Sequence, residues 1–272
     1  MGYKIMIEQK PEDRLDRERI LDMLGYSTFS RNIILHETIG STNQFTKELA
    51  MKGAPEGTLV LTEEQSAGRG RMDRKWLSPG YKNLLFSILL RPALQANELF
   101  VLTMILALAV IDGIKGMTNI HAGIKWPNDL YIENRKLGGI LTEFSLRGRN
   151  VEYVVLGLGL NVNWNPEEEE GILYPSTSIL AESGREVSRN ELLIHIVKAF
   201  EGYYKEAVSG NTERLYRKWN DLSIMAGREV HVESKGEIIR GTAIRIDPSG
   251  ALIIRDDRGE EHAILSGDVS LT

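Results

Sequence analysis

The sequence predicts an α+β protein: a mixed β-sheet domain with packed helices, followed by a small all-β barrel. Three observations predict it. Short β-like runs alternate with helical ones through the first part of the chain. After Trp219 the helical period gives way to four short stretches that alternate apolar and polar residues. Hydrophobic residues make up 42% of the 272 and charged residues 26%, a composition that excludes a disordered or fibrous chain. That length accommodates one large domain of about 220 residues and a small one.

The elements follow in order. Residues 12–24 place Leu15, Ile20, Leu21 and Leu24 in a helical pattern, with Gly25 where a C-cap sits, giving a short helical extension over residues 1–32. Within a domain spanning 33–222, strands are expected at residues 57–62, 83–90, 121–126, 137–144 and 152–162. Helices are expected at 42–52, 97–115 and 188–208. Ser188-Arg189-Asn190-Glu191 opens the last with a capping box, in which hydroxyl and carboxylate satisfy orphan backbone donors. The run 99–111 is apolar except for Thr103, and at 13 residues it reads as a buried helix too short to span a bilayer. Residues 223–272 form the barrel, with strands at 229–233, 238–246, 251–255 and 262–265 and a tight turn at Asp247-Pro248-Ser249-Gly250. The acidic run Glu167 to Glu170, after Asn165-Pro166, reads as a solvated loop, and no internal repeat occurs.

Charge and composition exclude several functions. With 33 Lys+Arg against 38 Asp+Glu the formal charge is −5, so no general cationic field for nucleic acid exists and any anion site is local. Residues 1–40 hold six basic and seven acidic side chains and the C-terminal 50 hold six and nine, which disfavours DNA reading by either. The absence of cysteine excludes disulfides, thiolate zinc sites and a catalytic thiol. The five histidines, His36, His121, His195, His231 and His262, show no metal-ligand spacing. Residues 1–8 carry neither the apolar run nor the cleavage site of a signal peptide, so a cytoplasmic protein without membrane attachment is expected.

Three segments carry chemistry. Gly68-Arg69-Gly70-Arg71-Met72-Asp73-Arg74-Lys75-Trp76 packs four cations and two glycines directly after a strand. Glycines let backbone approach a polyanion while guanidiniums make forked bonds to phosphate oxygens, although a solvated surface loop has the same composition. Trp76 is either a core anchor or a stacking face for a base. No Walker sequence occurs. The second segment, Lys125-Trp126-Pro127-Asn128-Asp129 with Lys136-Leu137-Gly138-Gly139-Ile140-Leu141, reads as a hairpin turning near Glu133-Asn134-Arg135. Such a hairpin holds polar groups rigidly, as a site requires, while Asn-Asp can merely start a turn and a lysine can merely cover a sheet. The third, Gly157-Leu158-Gly159-Leu160-Asn161-Val162-Asn163, sets glycines inside an apolar strand, where they signal close approach of a ligand or another backbone.

Taken in order, the three segments resemble the signature blocks of the biotin protein ligase family, and the likeness covers residues 33–272. Upstream, Gly40-Ser41-Thr42-Asn43 is similar to the start of that family's biotin-contacting helix, and Gln65 stands where it places a ring-contacting glutamine. The resemblance implies a fold of the class II aminoacyl-tRNA synthetase and biotin ligase type with an SH3-like C-terminal barrel. It implies two reactions: ATP and biotin give biotinyl-5′-AMP, and a lysine of a biotin carboxyl carrier domain of a biotin-dependent carboxylase then takes the biotin. A carboxylate meeting a triphosphate needs fixed cations and Mg2+.

Carried over by residue, Ser41, Thr42, Asn43 and Gln65 would hold the ureido ring. Gly68, Arg69, Gly70, Arg71 and Arg74 would close over phosphates and adenylate. Lys136, with Arg71 the expected catalytic pair, would hold the carboxylate and then the charge developing at the acyl centre. Trp76 would stack near adenine, Asn128 would serve the nucleotide, Asp129 the metal, Gly139 the biotin slot and Asn161 the adenylate. One departure is Asp73, which stands where the family usually has glycine; aspartate tolerates left-handed backbone, so the loop is expected to keep its shape. Ser41 falls too early for the winged helix-turn-helix of the family's repressor members, so no sequence-specific DNA binding is expected. An exposed sheet edge is expected to serve carrier or self pairing, a homodimer included. The alternatives are a lipoate ligase of the same fold and a non-catalytic biotin-binding regulator.

Overall fold

The computed structural model describes residues 13–168, 174–234 and 236–271. In chain order the elements are α1 (Arg17–Leu24), β1 (Asn32–Ile39), α2 (Thr42–Met51), β2 (Thr58–Gln65), β3 (Leu84–Leu90) and α3 (Phe100–Met117). There follow β4 (Gly123–Lys125), β5 (Asp129–Ile132), β6 (Arg135–Arg147), β7 (Asn150–Leu160), α4 (Ile179–Ser183), α5 (Arg189–Val208) and α6 (Glu213–Asp221). The chain ends with β8 (Glu229–Ser234), β9 (Glu237–Ile246), β10 (Leu252–Arg255), β11 (Glu261–Ile264) and β12 (Asp268–Leu271).

Strand β3 explains the layering. All seven of its residues are buried, as a central strand covered on both faces must be. Leu84, Phe86, Ile88 and Leu90 enter the main core with α3 and α5, while Leu89 joins Ala50 of α2, Tyr153 and Val155 in a smaller cluster on the other face. The seven strands run in the order β1-β2-β3-β7-β6-β5-β4, parallel only between β1 and β2, which is the mixed sheet the sequence implies. The apolar helix is longer than its 13-residue run suggests: residues 96–117 are helical and are long and apolar enough to cross a membrane by length and composition. Here 78% of an 18-residue apolar window within it is buried inside the fold, as befits a core helix.

The extension helix begins at Arg17 rather than residue 12, and residue 12 itself lies outside the described residues. Residues 13–16 are held away from helix by bonds elsewhere: Leu15 N donates to Glu63 and Asp16 N to Asn190. Asp16 instead caps the helix through Glu18 N and Arg19 N. The fully buried Arg189 joins these parts, bonding the Asp13 carboxylate at 3.0 Å and Glu63 at 2.7 Å. Ser188 caps α5 as expected, but the Glu191 carboxylate reaches Arg19 at 2.8 Å, so the capping box is only half formed. Residues 1–8, and Glu169 and Glu170 of the acidic run, lie outside the described residues.

The C-terminal strands form one antiparallel sheet in the order β11-β10-β9-β8-β12. Asp247 organises the expected turn by accepting from Ser249 N and Ala251 N. That turn is a docking point: Gly250, at φ 82°, lies so close to Phe100 that an added Cβ would sit 2.3 Å from its ring, and Trp126 Nε1 donates to the Gly250 carbonyl. Strands β1 and β12 and helices α4 and α6 have no counterpart among the expected elements.

Candidate functional site

The arginine-rich loop leaves β2 and returns on itself. Gly70 N donates to Arg74 O at 2.7 Å and Trp76 N to Gly68 O at 3.0 Å, closing a narrow hairpin. Gly68 is required there, because a Cβ would meet Trp76 O at 2.6 Å. The left-handed residue in this loop is Met72 (φ 53°, ψ 41°), one position before Asp73. Arg71 reaches Asn128 Oδ1 at 3.2 Å, and its other terminal nitrogen lies 3.5 Å from the Gly267 carbonyl of the C-terminal sheet. Arg74 pairs with Asp268 of β12 and lies 5.9 Å from the Tyr174 ring centroid. Burial lowers the Arg71 pKa, Asp129 opposes that shift, and neighbouring Arg74 adds to it.

The second segment is the expected hairpin, β5 turning into β6 through Glu133 in left-handed backbone. Its register sets Lys125 beside Asp129 and Asp129 beside Gly139. Lys136 Nζ lies 2.7 Å from Asp129 Oδ1, both groups about three-quarters buried, and 6.0 Å from the Trp76 ring. Gly139 leaves room for this pair, since a Cβ would come within 3.1 Å of Asp129 Oδ1 and 3.5 Å of Lys136 Nζ. Lys125, which opens the second segment but received no role from the resemblance, joins the site: burial lowers its pKa, Asp129 counters, and Lys136 and Arg74 lower it further. Asn128 Nδ2 donates to Ile140 O at 2.6 Å, so its amide both staples the hairpin and receives Arg71.

The glycines of the third segment make room for side chains. A Cβ on Gly157 would fall 1.9 Å from Asn43 Oδ1, and one on Gly159 would fall 2.6 Å from Trp76 Cε2. The sequence reading of a ligand or backbone against this strand is thus corrected to two side chains, each from another block. Asn161 donates through Nδ2 to Thr177 O at 2.9 Å, while its buried Oδ1 has no protein partner, nor does Trp76 Nε1. At the start of α2, Thr42 donates to Gln65 Oε1 through both N–H (2.9 Å) and hydroxyl (3.2 Å). Ser41 is the N-cap of α2 without a side-chain cap bond.

Ser87 and Glu143 also belong here and escaped the sequence reading. Ser87 Oγ lies 2.6 Å from Asn43 Oδ1 and 2.8 Å from Thr42 Oγ1. Glu143 receives Asn43 Nδ2 at 3.0 Å. The available signal was a lone serine in the apolar run of β3 and a carboxylate four residues beyond Gly139. In the C-terminal sheet, Asp256, Glu260 and His262 have ligand atoms within 4.8 Å of one another, but Asp256 already accepts from Arg258 N and Glu260 N and contacts His262, a closed turn.

These side chains form two adjoining chemistries on the α2 face of the sheet. Neutral donors and acceptors gather at Thr42, Asn43, Gln65 and Ser87, and cations at Arg71, Arg74, Lys125 and Lys136 around Asp129, with the Trp76 indole beside them. The arrangement can hold a polar ring at one end and a polyanion at the other.

Comparison with known proteins gives the same picture. The family model for the biotin/lipoate A/B protein ligase family matches residues 35–161, and that for the biotin protein ligase C-terminal domain matches 226–272. The chain is 32% identical over 271 residues to the bifunctional ligase/repressor BirA of Bacillus subtilis, covering 99% of this chain and 82% of that protein. It is 30% identical to the biotin–[acetyl-CoA-carboxylase] ligase of Mycobacterium tuberculosis, covering 94% and 95% respectively. The solved biotin protein ligase from Aquifex aeolicus in complex with biotin and ATP superposes with a TM-score of 0.76 at 29% identity, over 89% of this chain and 99% of that one.

Proposed function

The chain belongs to the biotin protein ligase family, and from that premise we propose that it is an ATP-dependent biotin–protein ligase. It joins biotin to AMP and passes the biotinyl group to a lysine of a biotin carboxyl carrier domain. The observation that carries this reading is the placement of Lys136 beside Trp76, with Arg71 on the neighbouring Asn128, one step along the sheet from the neutral pocket at Thr42, Asn43 and Gln65.

In the first step the biotin carboxylate attacks the α-phosphorus of ATP. A P–O bond forms, the bond to the β-phosphate bridge breaks, and pyrophosphate leaves. Lys136 bonds the carboxylate and so brings one anion to another, while Arg71 and Arg74 exchange their present partners for phosphate oxygens. Preset donors of this kind act more strongly the less water surrounds them, and Arg71, Lys125 and Lys136 are all part-buried. In the second step the carrier lysine amine attacks the acyl carbon, AMP departs, and the amine loses a proton. Lys136 then faces the charge that develops on the acyl oxygen.

Substrate choice follows from the neutral pocket. A ureido ring pairs with fixed amides and hydroxyls, and a ring that cannot pair leaves them buried and unsatisfied, which costs heavily in selectivity. The unpartnered Asn161 Oδ1 suits the amino group of adenine, and the Trp76 face suits its ring. Mg2+ fits the donor set: such ions take one or two carboxylates plus phosphate oxygens, and Asp129 is the carboxylate on which the cations converge. Asp129 would hold it, and it would supply charge neutralisation to the phosphates. A pyrophosphate-release assay tests the whole proposal: turnover with ATP and biotin is expected, and turnover with lipoate alone, or with neither acid, would overturn it.

A further inference from the structure

Asn43 is almost wholly buried at 4% exposure, and its amide orientation is decided by its neighbours. Two acceptors face its nitrogen, Leu141 O at 3.1 Å and the Glu143 carboxylate at 3.0 Å, and these take both of its N–H bonds. Its oxygen therefore turns to Ser87 Oγ, 2.6 Å away, across the space that Gly157 leaves open. The Ser87 hydroxyl also touches Thr42 Oγ1, and Thr42 in turn bonds Gln65. A continuous chain thus runs Glu143, Asn43, Ser87, Thr42, Gln65.

Glu143 differs from the rest of that chain in bearing charge. Lys47 of α2 grips its other oxygen at 2.8 Å, with both side chains about a quarter exposed. Burial pushes the Glu143 carboxyl up, but the bonds from Lys47 and Asn43, with the charges of Lys47 and Arg69, outweigh burial and hold it below the ordinary carboxylate range. An ionised carboxylate accepts only, so it cannot tolerate the flipped Asn43 amide, whose oxygen would face it. A flip would also set an Asn43 N–H group against the Ser87 hydroxyl, which now donates to the Asn43 oxygen and would have to turn its hydrogen away.

We propose that Glu143 is a positioning residue for biotin: anchored by Lys47, it fixes the Asn43 amide and thereby presets the polar chain that meets the ureido ring. The inference rests on the ligase reading above. It assigns a role to a side chain that need touch neither substrate, and it ties the affinity for biotin to an ion pair at the rim of the sheet.

Calorimetry of biotin binding to the full chain, alongside the KM for ATP, tests it. Loss of one charge-assisted bond and freedom for the amide to flip should weaken biotin binding about tenfold in Glu143→Ala. The ATP KM should stay within about twofold of the parent, because the cationic cluster is untouched. Glu143→Gln keeps an acceptor for Asn43 and should recover most of the loss. Lys47→Met, which leaves the buried network whole and removes only the anchor, should weaken biotin by about threefold. Unchanged biotin affinity in Glu143→Ala would overturn the inference, as would equal losses for biotin and ATP, which mark general damage. A parent chain that binds no biotin at all overturns the ligase reading itself, and that result is visible before any variant is made.

Discussion

Replacing Gly159 by alanine should separate nucleotide binding from everything else the site does. Gly159 lies within β7 and is paired with Leu85 on one side and Gly139 on the other, so its backbone is held at both edges. An added methyl would meet the Trp76 indole at three atoms, 2.6 Å from Cε2 and 2.9 Å from both Cζ2 and Nε1. Ordinary carbon contact begins near about 3.5 Å, so the ring has to withdraw by about 1 Å. It has room to do so, because the indole is only part-buried and ends a hairpin whose neighbours Lys75 and Leu77 are exposed. The fold should survive. Stacking of a base on an aromatic ring contributes about 1–3 kcal/mol, so losing it should raise the ATP KM by about 5- to 150-fold. Biotin affinity should change less than about twofold, since Thr42, Asn43 and Gln65 keep their partners. The assay is pyrophosphate release with ATP titrated at saturating biotin, paired with urea denaturation. An ATP KM within twofold of the parent in a folded variant would refute a nucleotide-facing Trp76.

Other perturbations follow from the same geometry. Lys136→Ala should abolish adenylate formation while the denaturation midpoint holds, because Asp129 keeps Lys125 and Arg71 nearby; residual turnover above about 10% of the parent would place Lys136 outside the chemistry. Arg71→Gly removes the link to Asn128 and should let biotinyl-adenylate dissociate faster, which stopped-flow release of the preformed adenylate measures. For Lys125 the sign is set by burial, which lowers its pKa from 10.5: its ammonium is lost before that of a free lysine as pH rises. The ATP KM should therefore climb on the alkaline side before a free lysine would lose its proton, and Lys125→Arg should flatten that limb. Tyr131, pushed up to about 12, stays neutral throughout and cannot produce it. Arg189→Ala leaves Glu63, 1% exposed, and Asp13 without their cation, and should cost about 3–5 kcal/mol of unfolding free energy in urea.

What the sequence could and could not reveal follows from how each feature is specified. Helices α2, α3 and α5 and the long strands carry their own periodicity, so they are legible one segment at a time. Strand β12 is four residues long and exists because β8 offers it an edge, and β1 is parallel to β2 across the whole of α2; both are defined by pairing that a local pattern does not contain. The cationic residues were legible because few structural roles concentrate four such groups in nine residues. Ser87 and Glu143 were not, because a single serine in a strand and a single glutamate beyond it are ordinary until Asn43 is known to lie between them.

The glycines of β7 show why block-by-block reading stops short of a mechanism. Taken alone, Gly157 and Gly159 say only that something comes close. In the fold the first is the complement of Asn43 from α2 and the second is the complement of Trp76 from the arginine hairpin. Gly159 is also paired with Gly139, which clears space for Lys136 and Asp129. One ladder of small residues across β6 and β7 therefore seats the Asn43 amide, the Trp76 indole and the Lys136–Asp129 pair. Since that ladder is hydrogen-bonded on both sides, its backbone cannot give way, and a side chain added at any rung should displace the one group that rung seats.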